Sequence, residues 1–108
     1  MFKVELTEKA AADVELVMKW FHDHQATSAG RKWHETLSTA LEKLERHPQR
    51  CAIAAESQIL GEEIRELLIG RRRYRYRVLF QVRHNSVLIL RIWHSSRDFL
   101  SAADMSEQ

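Results

Sequence analysis

The chain has 108 residues, 44% hydrophobic and 30% charged, with three Gly and one Pro. That describes one domain, residues 1–108, with enough apolar side chains for a core, and it excludes disordered, collagen-like and low-complexity chains. The formal net charge is only +2, but Met1 to Glu63 carries −3, Ile64 to Arg97 carries +8 and Asp98 to Gln108 carries −3.

The middle block contains nine Arg, no Lys and one acid, Glu66. A guanidinium offers a planar fork of donors suited to phosphates and carboxylates, where an ammonium offers a point charge. The block therefore implies an anionic partner, either nucleic acid or an acidic protein segment. Cys51 is the only cysteine, so an intramolecular disulfide and a multi-thiolate zinc site are excluded, in keeping with a reducing cytoplasm. No apolar h-region follows the charged start, and no apolar run approaches the ~18 residues needed to cross a bilayer. The expectation is a soluble intracellular protein with no membrane partner, no metal and no cofactor.

In chain order, Phe2, Val4 and Leu6 alternate with charged residues and predict a short strand. Thr7 is placed to cap a helix running to about Gln25, with Ala11, Val14, Val17, Met18 and Phe21 as its apolar stripe. After a short link, Ser28 reads as the cap of a second helix that carries Trp33, Leu37, Ala40, Leu41 and Leu44 and stops before Pro48. So short a link makes the two helices an antiparallel hairpin. Trp20, Trp33 and the leucines read as core. Gln49 to Gly61 reads as a loop with room for a short helical turn.

The last third is strand-like: Ile64–Ile69, Tyr74–Arg83 and Val87–Trp93, with Gly70 and His84–Ser86 at the breaks. Ser95 or Ser96 is placed to cap a terminal turn from Arg97 to about Ala103. The predicted fold class is α+β, β-α-α-β-β-β. The helical hairpin packs on one face of a twisted antiparallel sheet, the other face stays partly open, and a short C-terminal helical turn follows. Alternation along the long strand sends Tyr74, Tyr76, Val78, Phe80 and Val82 toward the helices, and Arg75 and Arg77 toward the open face. Arg65 lies on one definite side, but a register slip of one residue would exchange the sides.

There is no P-loop, no dinucleotide glycine fingerprint and no nucleophile elbow. His22 and His24 are two apart on a helix and point to different faces; they read as surface residues. His94 ends the last strand beside Ser95, Ser96 and Arg97. Metal-free RNA cleavage needs a base, an acid and cations around the phosphorane, and Arg65, Arg77, His94 and Arg97, with Glu63 or Glu66, could formally supply them. The plainer reading has His94 and Arg97 holding the chain end by hydrogen bonds. For binding an anionic target, the residues singled out are Arg71, Arg72, Arg73, Arg75, Arg77, His94 and Arg97, with Gly70-Arg-Arg-Arg73 the densest cluster.

Two stretches carry a resemblance. Ile64-Arg-Glu-Leu-Leu-Ile-Gly70, followed by Tyr76-Arg-Val-Leu-Phe-Gln-Val82, is similar to the R-x-L…Y-R-V-x-Y/F-x-V core of the RelE/ParE superfamily of bacterial type II toxins. Val87-Leu-Ile-Leu-Arg-Ile-Trp-His94-Ser-Ser-Arg97-Asp98 resembles the V-x-I-L-x-I-x-H-x-x-R-D ending common on the ParE side. The resemblance implies a growth-blocking toxin that is wrapped by a cognate antitoxin, with operator DNA bound only through that antitoxin. It implies no small-molecule substrate. ParE-like members inhibit DNA gyrase, whereas RelE-like members cleave mRNA on the ribosome and tend to keep a Tyr or His near the C-terminus. Ser95 to Gln108 contains neither, so the gyrase reading leads, the ribosome-dependent mRNA endonuclease follows, and an inactive relic that only binds antitoxin is third.

Overall fold

The computed structural model describes residues 1–107. In chain order the elements are β1 (Lys3–Leu6), α1 (Glu8–Asp23), α2 (Thr27–Leu44), β2 (Ala52–Ile53), α3 (Ser57–Leu60), β3 (Arg65–Ile69), β4 (Tyr76–Arg83), β5 (Ser86–His94) and α4 (Ala102–Met105). The expected α+β order is present, with the two-residue β2 and the single-turn α3 inside the segment read as a loop. The sheet order is β1-β5-β4-β3-β2. It is mixed rather than wholly antiparallel, because β1 runs parallel to β5. A tight turn forces antiparallel pairing, but β1 leads into a helical hairpin instead and is free to lie alongside the last strand.

Thr7 couples the first strand to the first helix. Its hydroxyl accepts the Ala10 N–H at 3.1 Å and donates to the Leu90 carbonyl at 3.0 Å. Ala10, Val17 and Phe21 of α1 and Trp33, Leu37, Ala40 and Leu44 of α2 then pack on Val78, Phe80, Val87, Ile89 and Ile92 of the sheet. The α1 stripe differs from the expected one. Ala11 is exposed, and the buried positions are Ala10, Asp13, Val17 and Phe21. The helix is rotated to bring the carboxylate of Asp13 to the sheet, a residue that hydrophobic periodicity assigns to solvent. The second helix is capped at Ala26 rather than Ser28. At Gly30 a Cβ would sit 2.8 Å from that of Phe21, so a side chain there would push the hairpin apart.

A β-bulge decides what the two faces carry. Leu79 pairs with Arg91 and Phe80 with Ile89, so Leu90 is the extra residue. The bulge puts both Ile89 and Ile92 on the helical side, which strict alternation forbids. On the reverse side Leu79, Leu90 and Trp93 form a second core with Ala54, Ile64, Leu100 and Met105. That face is therefore covered, not partly open: residues 54–64 and the C-terminal segment lie across it. The terminal helix also starts later than expected. Its cap is Ser101, in a reciprocal capping box with Asp104, while Ser95 and Ser96 bond to the ends of the central strands.

Candidate functional site

The nine arginines of the cationic block divide into two sets. Four have carboxylate partners inside the fold. Arg77 was expected on an open face, but it is 8% exposed. Its Nη1 and Nη2 donate to the two carboxylate oxygens of Glu56 at 2.7 and 2.6 Å, and its Nε donates to Glu66 at 2.8 Å. Glu56 is fully buried and also accepts the Leu100 N–H at 3.1 Å. Burial pushes the Glu56 carboxyl up, but the bonds from Arg77 and Leu100 outweigh it and hold the group below its ordinary value. The same hydrogen bonds to Glu56 raise Arg77 above its own. The trio locks the two segments covering the second face onto β4.

Arg65 lies on the opposite face from Arg77. It pairs across the ladder with Phe80, on the helical side. Its guanidinium donates to Glu63 at 3.0 Å and to the carbonyls of Gln49 and Cys51 at 2.9 and 2.6 Å. It fastens the segment after α2 to the sheet edge. Arg91 forms a two-point pair with Asp13, both bonds at 2.8 Å, and Asp13 also accepts the Ile92 N–H at 2.9 Å. Since β1 stops opposite Ile89, this carboxylate satisfies the β5 edge where the neighbouring strand ends. Arg83 bonds Glu107 near the surface.

The other five are Arg71, Arg72, Arg73, Arg75 and Arg97. All are exposed, and among the described residues none has a carboxylate within ion-pair distance. They sit together at one end of the sheet, four in the loop before β4 and one just after β5. Backbone bonds hold this rim: the Tyr74 N–H donates to Arg71 O at 3.0 Å, the Arg75 N–H to Arg72 O at 3.2 Å and the Ser95 N–H to Arg75 O at 3.0 Å. Gly70 opens the loop at φ +80°, where an added Cβ would collide with the Tyr74 carbonyl oxygen. Arg97 lies over Trp93, its guanidinium carbon 3.5 Å from the ring centroid.

His94 stands between the two loops. Its Nδ1 accepts the Ser96 N–H at 3.1 Å and faces the Ser96 hydroxyl at 2.6 Å. That leaves Nε2 to carry the hydrogen and donate to the Arg73 carbonyl at 2.6 Å. Both ring nitrogens thus serve the rim, and the Arg97 N–H donates to the His94 carbonyl at 3.1 Å. Beside it runs a groove of about 240 Å³, lined by Asp13, Leu16, Trp20, Tyr76, His94 and Arg97. Burial pushes the Tyr76 phenol up and Arg97 only partly opposes it, so the phenol keeps its proton.

The structure brings His94, Arg97 and the 71–75 loop together. It does not bring Arg65 or Arg77 to them. Trp20, read as core, is 43% exposed and Leu16, one turn earlier, is 65% exposed. Among the described residues no cluster of His, Cys, Asp and Glu is arranged to hold a metal ion, and no helix is long and apolar enough to cross a membrane. Sequence reasoning missed Asp13, Glu56 and the Leu16–Trp20 pair. The i, i+4 spacing of the last two was the available signal.

Residues 4–99 match the model of the ParE toxin of type II toxin–antitoxin systems, parDE. A solved structure described as the chromosomal ParDE system from P. aeruginosa superposes with a TM-score of 0.69 at 22% identity, covering 87% of this chain and 96% of that one. Among curated proteins no match is found.

Proposed function

We propose that this chain, which belongs to the ParE toxin family of type II toxin–antitoxin systems, blocks growth by acting on DNA gyrase and is neutralised by a cognate antitoxin. The end of the sheet carrying Arg71, Arg72, Arg73, Arg75, His94 and Arg97 is the target-facing surface. One observation supports action by binding rather than by RNA cleavage. The four residues that could supply a cleavage set are dispersed: Arg65 and Arg77 lie on opposite faces, each engaged by a carboxylate, and both His94 nitrogens hold backbone or serine groups. The antitoxin, as an acidic and amphipathic segment, has apolar surface to cover at Leu16 and Trp20 beside the arginines.

The test is to induce the protein and follow plasmid supercoiling and mRNA integrity in the same lysates. Loss of supercoiling with intact mRNA is expected. Early codon-linked mRNA cuts with normal supercoiling would replace this reading by the second one, a ribosome-dependent endonuclease. That reading draws on the joint presence of His94, Tyr76 and Arg97 along one groove.

A further inference from the structure

Arg72 has a feature that the fold does not require. It adopts φ +54°, the left-handed region where Gly or Asn is at ease and an arginine is not. Its side chain makes no ion pair among the described residues. Arg71 and Arg75 likewise give only their backbone to the loop. A strained position and its neighbours are thus filled by long cations that do nothing for the loop's own geometry, while every arginine that does serve the fold has found an acid.

The surrounding aromatic rings narrow the kind of anion. Single-stranded nucleic acid is held by bases stacking on open aromatic faces. Here three of the rings near the rim each have a cationic or imidazole side chain against one face. His24 stacks on Trp20 at 4.1 Å, Arg97 on Trp93 at 3.5 Å, and Arg73 lies 5.6 Å from the Tyr74 centroid. Phe99, two residues after Arg97, is 68% exposed, but a single open ring is not a row of stacking platforms. The exposed surface is dominated by an array of guanidinium forks, which suits a regular row of phosphates.

We infer that the rim of Arg71, Arg72, Arg73, Arg75 and Arg97 is a sequence-independent binding site for the phosphate backbone of duplex DNA, used by this chain directly. The inference rests on the proposal that this end of the sheet faces the target, and adds that DNA itself is part of what it meets. No base contact is involved, so affinity follows salt rather than sequence.

The experiment is fluorescence anisotropy of a labelled 20-base-pair mixed-sequence duplex, titrated with the full chain across a salt series. Five phosphate contacts predict a slope of log K against log salt of about −4.5, and the variant Arg71→Gln/Arg72→Asn/Arg73→Gln, with two left, about −1.8. Asn suits the left-handed position, and a thermal melt of the variant checks that it stays folded. A flat wild-type slope, or the same slope in the variant, overturns the site. So does tighter binding to single-stranded RNA of equal length, or to a poly-glutamate peptide of equal charge, at the same salt. A gyrase supercoiling assay on the same preparations separates the two proposals. Inhibition without duplex binding sinks the phosphate site alone; duplex binding with the expected slopes but no inhibition sinks the gyrase reading and leaves the site.

Discussion

Arg77 and Arg73 are four residues apart, and their surroundings are opposites. Arg77 is buried, bonded to two carboxylates and responsible for holding residues 56 and 100 onto the sheet. Arg73 is exposed and has no acid; its backbone carbonyl accepts from His94, and its guanidinium meets only the Tyr74 ring, 5.6 Å away. A guanidinium enclosed by acids is part of the architecture, and a guanidinium left open is available to something outside it. The +8 block is therefore not one surface. It is a structural set of four and a free set of five, and only the free set is gathered in one place.

The sharpest way to break the contrast is at its buried end. Glu56→Ala leaves Arg77 with Glu66 alone and the Leu100 N–H with no acceptor, so a loss of about 3–5 kcal/mol is expected from denaturant unfolding. A loss below about 1 kcal/mol would mean that the covered face is held by apolar packing without the ion trio. Next in size is Gly70→Ala, which places a Cβ against the Tyr74 carbonyl at positive φ. It should cost about 1–3 kcal/mol and displace the arginine loop, visible as shifted amide resonances from Arg71 to Tyr76.

A smaller effect comes from pH. The Glu56 carboxyl is held below its ordinary value in the folded state. Its contribution is therefore complete above the unfolded value of about 4.3 and is lost as pH falls through the lower folded one. Melting temperatures between pH 5 and 2 should drop more steeply for the wild type than for Glu56→Gln, which has no proton to gain. Parallel curves would show that other carboxylates govern acid unfolding.

How much of this division the sequence disclosed follows from the same physics. The helix-facing side of β4 was legible because Tyr76, Val78, Phe80 and Val82 alternate, and burial on that side is non-local but generic. The fate of Arg77 was not legible. It depends on Glu56, 21 residues earlier in a segment without periodicity, and alternation reports a face without saying what covers it. The same limit hid Asp13, whose partner Arg91 is 78 residues away, and the parallel pairing of β1. The clustering at Arg71–Arg73 was visible because it is contiguous, while its union with Arg97 required the register of β4 against β5. Trp20 failed as a core residue because a tryptophan on an amphipathic helix is weighed by type, and its exposure is set by where the sheet beneath it ends.

The smallest expected change lies at the open end. Arg71→Gln should alter stability by no more than about 0.5 kcal/mol, the range of surface substitutions that touch no cap, core or buried pair. Arg73→Gln is close to it, less the weak contribution of the guanidinium near Tyr74. The sign can favour the variants. Five unpaired guanidiniums at one rim repel one another, and salt screens that repulsion over about 10 Å at 0.1 M. The wild type should therefore gain stability as salt rises, and the Arg71→Gln/Arg73→Gln protein should gain less, since part of its repulsion is already gone. Denaturant unfolding of both at low and high salt measures this directly. A loss above about 1.5 kcal/mol in the double variant would place Arg71 and Arg73 with Arg77 among the residues that hold the fold, and the division between the two sets would not survive it.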